Sequence, residues 1–192
     1  MDRLQGSRIT GGNTNYGRAK SDLYPTPPEA TQALLNFLEL PQTTTIWEPA
    51  CGQGHMVKVL QNNGFAVIGT DIESGTDFLG VDIPNGIDWI ITNPPFSKAE
   101  EFIRRCFQHR VPFALLLKAH YWNAKRRISL FRECQPKYVL PLTWRPDFMF
   151  GARGSGSPLL DVSWVVWGSK SSEVTKFLPL ERPINIREGD GA

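Results

Sequence analysis

The stretch Trp47-Glu48-Pro49-Ala50-Cys51-Gly52-Gln53-Gly54-His55 is the first in the chain able to do chemistry. It reads as a strand running into a glycine turn that opens a helix. Such a turn lets a ligand approach the backbone closely, at the carboxyl ends of the strands. Gly52 and Gly54 match the first two glycines of G-x-G-x-x-G, but Val57 fills the third place, which counts against a dinucleotide. Asp71, at the end of the next expected strand, can accept hydrogen bonds from ribose hydroxyls. A tight turn with no ligand is the plainer alternative. The second stretch, Ile90-Ile91-Thr92-Asn93-Pro94-Pro95-Phe96, is a strand ending in Asn-Pro-Pro-Phe. Two prolines fix the backbone and remove two donors, leaving carbonyls aimed at whatever occupies the site. Asn93 adds a side-chain acceptor and Phe96 a stacking face. Standing alone, the tetrapeptide would read as a strand end closed by prolines.

The elements that must position these residues alternate along the chain. Thr26 is a candidate N-cap, with Pro27 at N1 and Glu29 near a capping-box position, for a helix over 27–39 that Pro41 ends. Strands are predicted at Thr43–Glu48, Phe65–Thr70, Gly86–Thr92, Pro112–Lys118, Lys137–Leu140 and Leu159–Trp167. Helices are predicted at His55–Asn63, over 98–109 and, strongly basic, over 123–134. Pro112–Lys118 is apolar enough to be buried on both faces. Residues 145–158 read as a loop. This alternation argues for an α/β fold with a parallel sheet covered by helices on both faces. Trp47 and Trp89 are expected in the core, and His55 is expected to be structural. A flexible basic arm is expected over 1–22, one domain over 23–182 and a frayed tail over 183–192.

The chain has 192 residues, 41% hydrophobic and 21% charged, with net charge +2. That mixture excludes a wholly disordered chain and supports one self-sufficient core. No apolar run approaches the length of a membrane helix. MDRLQGSRITGG carries no apolar leader segment, so a cytoplasmic protein without a membrane partner is expected. Cys51, Cys106 and Cys134 form no CxxC pair, and His109 and His120 show no ligand spacing, so neither a disulfide framework nor a metal is expected. Arg3, Arg8, Arg18 and Lys20 stand against Asp2 near the start. Lys118, Lys125, Arg126, Arg127, Arg132 and Lys137 stand against Glu133 alone. The rest of the chain is net acidic, and this asymmetry points to a polyanionic partner. Tyr121 and Trp122 precede the cations, as in a groove that neutralises phosphates and stacks a base. The alternative is a solvated helix face anchored by Trp122.

Together these motifs resemble the S-adenosylmethionine-dependent amino-methyltransferases, especially the small DNA N6-adenine methyltransferases of phages and prophages. Glu48-Pro49-Ala50-Cys51-Gly52-Gln53-Gly54 is similar to their cofactor loop, and Asn93-Pro94-Pro95-Phe96 to their catalytic tetrapeptide. Tyr24-Pro25-Thr26-Pro27-Pro28-Glu29 resembles the segment closing over the methionine end of the cofactor. Asp77-Phe78 resembles the pair holding its adenine. Arg145-Pro146-Asp147-Phe148 and Ser163-Trp164-Val165-Val166-Trp167 resemble the late segment and hairpin of the phage group. The resemblance spans about residues 23–168. It implies a Rossmann-like class I methyltransferase fold, with a seven-stranded, mostly parallel sheet and a late antiparallel hairpin.

The resemblance further implies S-adenosylmethionine as cofactor, held by Tyr24, Thr26, Pro27, Glu48, Ala50, Gly52, Gly54, Asp71, Ile72, Asp77, Phe78 and Asn93. Catalysis falls to Asn93, Pro94, Pro95 and Phe96; for DNA the candidates are Phe96, the aromatics and cations of the basic segment (Tyr121, Trp122, Lys125, Arg126 and Arg127) and Phe148. The adenine amine is a poor nucleophile because its lone pair is delocalised into the ring. The Asn93 side-chain oxygen and the Pro94 carbonyl, out of the base plane, would favour a pyramidal nitrogen and stabilise its growing positive charge. Phe96 would stack on the extruded base. Phe148 would flank it or simply pack. No Pro-Cys dipeptide is present, so a cysteine-nucleophile route to 5-methylcytosine has no candidate. The alternatives are the same chemistry on RNA adenine or a protein glutamine, and a catalytically silent nucleic-acid-binding module.

Overall fold

The computed structural model describes residues 25–149, 158 and 160–184. The expected arm, Tyr24, most of the 145–158 loop and the tail beyond 184 lie outside the described residues. Helices α1 (Pro28–Leu38), α2 (His55–Asn62), α3 (Ala99–His109) and α4 (Ile128–Glu133) alternate with strands β1 (Thr45–Glu48), β2 (Ala66–Gly69), β3 (Trp89–Thr92), β4 (Phe113–Lys118), β5 (Tyr138–Pro141), β6 (Val162–Trp167) and β7 (Lys176–Phe177). The strands form one sheet in the order β2-β1-β3-β4-β6-β5-β7. β2, β1, β3 and β4 pair in parallel, and β7 is parallel to β5. β6 is antiparallel to both its neighbours. The expected α/β sheet of seven mostly parallel strands with a late antiparallel pair is therefore present.

The period of two along buried strands divides the core between the sheet's two faces. Ala114 and Leu116 of β4 join Trp164 and Val166 of β6, with Leu34 of α1 and Leu60 of α2. Phe113, Leu115 and Leu117 join Val165 and Trp167 on the other side, with Ile103 and Cys106 of α3 and Leu130 of α4. Phe113 and Trp167, directly paired across β4 and β6, stack with ring centroids 4.6 Å apart. Both buried indoles satisfy their N–H groups, Trp164 donating to the Ala30 carbonyl and Trp167 to that of Cys134, each at 2.7 Å. Trp47 is fully buried, whereas Trp89 is only partly covered.

Several local expectations are corrected. α1 is capped by Pro27 without a side-chain bond, so Thr26 forms no capping box. Its hydroxyl has another partner, described below. α1 ends at Glu39, which adopts φ 46° and donates its N–H to the Leu35 carbonyl, ahead of Pro41. The basic helix expected over 123–134 is a short helical turn at Lys125–Arg127 followed by α4. Arg127 donates back to the Tyr121 carbonyl and lies over the Tyr121 ring at 4.0 Å, tightening this turn. β3 starts only at Trp89, because Gly86 turns the chain at φ 77° and Asp88 accepts from the Thr45 N–H.

Candidate active site

Parallel pairing carries the ends of β1, β3 and β4 to one edge of the sheet, so Glu48, Asn93 and Lys118 emerge together. Between β1 and α2 the chain turns through Gly52 (φ 49°) and Gly54 (φ 78°). Gly54 has open space around it, so its backbone conformation, not crowding, demands glycine. Gly69 on β2 has the opposite reason. A Cβ there would stand 2.9 Å from Val57 Cγ2 and 3.5 Å from Cys51, so this glycine lets the loop pack on the strand. Sequence reasoning missed it, although the run Phe65-Ala66-Val67-Ile68-Gly69 held the signal of a glycine inside a strand.

Asp71 pins the same loop. One carboxylate oxygen accepts from the Gly52 N–H at 2.8 Å and the other from the Glu73 N–H at 2.9 Å. Each oxygen keeps a further lone pair for a ligand. Glu48 is 2% exposed, and its Oε2 is buried without a hydrogen-bond partner. Burial pushes its carboxyl well above the usual carboxylate range, and the Asp71 charge adds to this. A hydrogen bond from the Val57 N–H in the first turn of α2 opposes the rise. Burial, helped by Glu48 and Asp71, also raises the Cys51 thiol, which stays protonated near neutral pH.

A cavity of about 370 Å³ opens at this edge. It gathers Thr26, Glu48, Ala50, Gly52, Asp71, Ile72, Asp77, Phe78, Asn93 and Pro95 from the sequence-derived set. Gly54 caps α2 behind the loop, Pro27 is buried at the start of α1, and Pro94 is buried behind Asn93. The lining also includes His55, whose imidazole the sequence left structural or near the cofactor carboxylate, and Lys98 and Phe102, which sequence reasoning did not place there. Asp77 is exposed and caps its own turn through Leu79, while Phe78 is buried against Trp47 and Phe102. The lining fits a ligand with an apolar part, hydroxyl donors and a cation to meet the unpaired Glu48 oxygen.

Asn93 is oriented from an unexpected quarter. Its Nδ2 donates to Thr26 Oγ1 at 3.1 Å. With the amide nitrogen held there, the carboxamide oxygen is turned away from Thr26. Phe96 begins a short helical turn, and the Lys118 ammonium lies 4.7 Å from its ring centroid.

Neither Phe96 nor the remaining substrate candidates line the cavity. Tyr121 is 5% exposed. Trp122 packs on Tyr121, Phe131 and Trp167. Phe148 is 4% exposed and belongs to the core cluster against which Phe96 packs. Lys125 and Arg126 are exposed, whereas Arg127 is engaged with Tyr121. These two arginines therefore separate experimentally. Arg127→Ala should lower stability by about 1–2 kcal/mol by removing a charge-assisted bond to a carbonyl. Arg126→Ala should stay within about 0.5 kcal/mol of the parent. Urea denaturation of both variants checks this. Among the described residues, no three His, Cys, Asp or Glu side chains are placed to hold a metal, and no helix is long and apolar enough to cross a membrane.

No protein-family model and no curated protein matches the chain. Solved structures do. A provisionally assigned class I S-adenosylmethionine-dependent methyltransferase from Listeria monocytogenes aligns over 92% of this chain and 72% of its own, at 10% identity and TM-score 0.56. A provisionally assigned RNA methyltransferase from Pyrococcus horikoshii aligns over 90% of this chain and 100% of its own, at 14% identity and TM-score 0.59. The M protein of the type I restriction enzyme EcoKI aligns over 100% of this chain at 12% identity and TM-score 0.55; the chain spans about half, 54%, of that protein. At such identities the likeness is one of fold, and the fold is that of the class I methyltransferases.

Proposed function

We propose that this chain transfers a methyl group from S-adenosylmethionine to the N6 amine of adenine in DNA. The observation that carries the reading is the convergence of Glu48, Asp71 and Asn93 on one cavity at the carboxyl edge of the sheet. When bound, the cofactor would supply a methyl carbon on a sulfonium whose leaving group is a neutral thioether; the accepting amine would release one proton to solvent.

Glu48, with its unpaired oxygen, holds the cationic portion of the cofactor, and Asp71 the ribose hydroxyls. Ile72 and Phe78 offer apolar surface to the adenine, beside Asp77. Ala50, Gly52 and Gly54 keep the backbone close, and Thr26 and Pro27 belong to the segment over the methionine end. The Asn93 oxygen and the Pro94 carbonyl accept from the two amino hydrogens of the target base. The arrangement binds and orients the amine and needs no titrating base. Phe96 stacks on the extruded base, and the exposed Lys125 and Arg126 supply charge for phosphates.

Labelled methyl transfer to DNA, RNA and protein, assayed in parallel, tests the reading. The expected product is N6-methyladenine in hydrolysed DNA. Label confined to RNA or to protein glutamine overturns the DNA assignment, and no label in any of the three overturns the enzymatic one.

A further inference from the structure

We infer that Lys118 contacts the phosphate of the nucleotide whose base stacks on Phe96, an inference that rests on the nucleic-acid substrate proposed above. The two side chains meet because of strand register. Thr92, which ends β3, pairs with Leu115, so Leu116, Leu117 and Lys118 extend β4 past it. The last residue of β4 thereby overhangs the Asn-Pro-Pro-Phe turn, with its ammonium 4.7 Å from the centre of the Phe96 ring.

Among the described residues this cation has no carboxylate partner: no Asp or Glu oxygen lies within 4.0 Å of its ammonium. Asp161 stands next to the end of β4, its carbonyl accepting from the Ala119 N–H, but its carboxylate is held by Arg145 at 2.7 Å. Buried apolar residues precede the partly exposed Lys118 along the strand, which fixes its backbone at the end of β4 while its side chain reaches over the Phe96 ring. A base arriving on Phe96 either shares the ring with this ammonium or displaces it along a flexible stem. In both cases this cation is brought beside the sugar–phosphate of the same nucleotide, where a compact ammonium is a ready phosphate partner. Ring and cation thus act on one nucleotide, unlike a lysine scattered over the surface.

The test is equilibrium binding of a short mixed-sequence DNA duplex to the full chain at several salt concentrations. Lys118→Met keeps the apolar stem and removes the charge. It should weaken binding several-fold and reduce the slope of log affinity against log salt by about one phosphate equivalent. Lys118→Arg should restore both. Combined with Phe96→Leu, Lys118→Met should cost less than the product of the two single losses, since both changes act on one nucleotide. An unchanged salt slope in Lys118→Met, or losses that multiply, overturns the inference. A slope that depends on Lys118 in a chain that methylates nothing supports the contact while removing the proposed activity, so the two failures are distinguishable.

Discussion

Asn93→Ala lowers kcat for methyl transfer by about 10²–10³, the cost of losing one preorganised partner for charge that develops in the transition state. Affinity for the cofactor, read by calorimetry, stays nearly constant, because Glu48 and Asp71 remain in place. Thr26→Val carries the same argument one step outward. It removes the oxygen that receives the Asn93 amide and preserves the bulk of the side chain. The carboxamide then loses the anchor on its nitrogen, so kcat falls by about tenfold, a factor worth about 1.4 kcal/mol. Thr26→Ser, which keeps the acceptor, restores it. A pure packing role for Thr26 predicts no rescue by serine, and full activity in Asn93→Ala ends the proposed mechanism.

Glu48→Gln should show the second large effect, and its sign reverses between the free and the liganded protein. Burial and the neighbouring Asp71 raise the Glu48 carboxyl in the folded state, so the folded chain binds this proton more tightly than the unfolded chain. Stability associated with this group is therefore fully present below the unfolded value, about 4.3, and is lost as pH rises toward the folded one. Glu48→Gln removes that loss. At pH 7 the cofactor-free variant should melt higher than the parent, by about 2–4 °C for each kcal/mol recovered, and the difference should close near pH 4. The cofactor response is opposite. A cationic ligand favours the ionised carboxylate, so parental affinity should fall as pH drops through the raised value, with a proton released on binding. The variant should bind S-adenosylmethionine about 10- to 100-fold more weakly, with a flat pH profile, as expected for a lost charge-assisted bond of about 1.5–3 kcal/mol. Thermal melts and calorimetry over a pH series read both effects. A parent whose cofactor affinity ignores pH refutes the role of Glu48.

Residues that constrain the backbone left the plainest marks in the sequence. Gly52 and Gly54 needed left-handed conformations, Pro94 and Pro95 stopped a strand, and both stretches proved to line one edge of the sheet. The continuous apolar run of β4 likewise announced a strand, and the alternation read over 159–167 fell on β6, which is buried on both faces. What stayed hidden depends on distances between elements. Nothing around Thr26 signals that its hydroxyl will serve Asn93 instead of a helix end. The Lys118–Phe96 contact follows from the stagger of two strands, which no local pattern encodes. Arg127 was indistinguishable from Lys125 and Arg126 by charge, yet a turn of the chain folds it onto Tyr121 and leaves Lys125 and Arg126 outside. The partly buried Trp89 shows the same limit, since an aromatic in a strand marks the sheet but not the depth.

The position of β6 has a consequence for synthesis. It lies between β4 and β5 in the sheet but is made after both. Until residues 162–167 leave the ribosome, β4 is an edge, and its Phe-Ala-Leu-Leu-Leu run has neither the ladder of β6 nor the Trp167 ring over Phe113. A nascent or truncated chain thus carries an open slot with the most apolar strand of the protein along one side, the kind of edge that captures other strands. The late hairpin is therefore a closure step as well as a scaffold. Chains interrupted before Val162 should aggregate through β4, and a peptide matching 162–167 supplied in trans should compete for the slot.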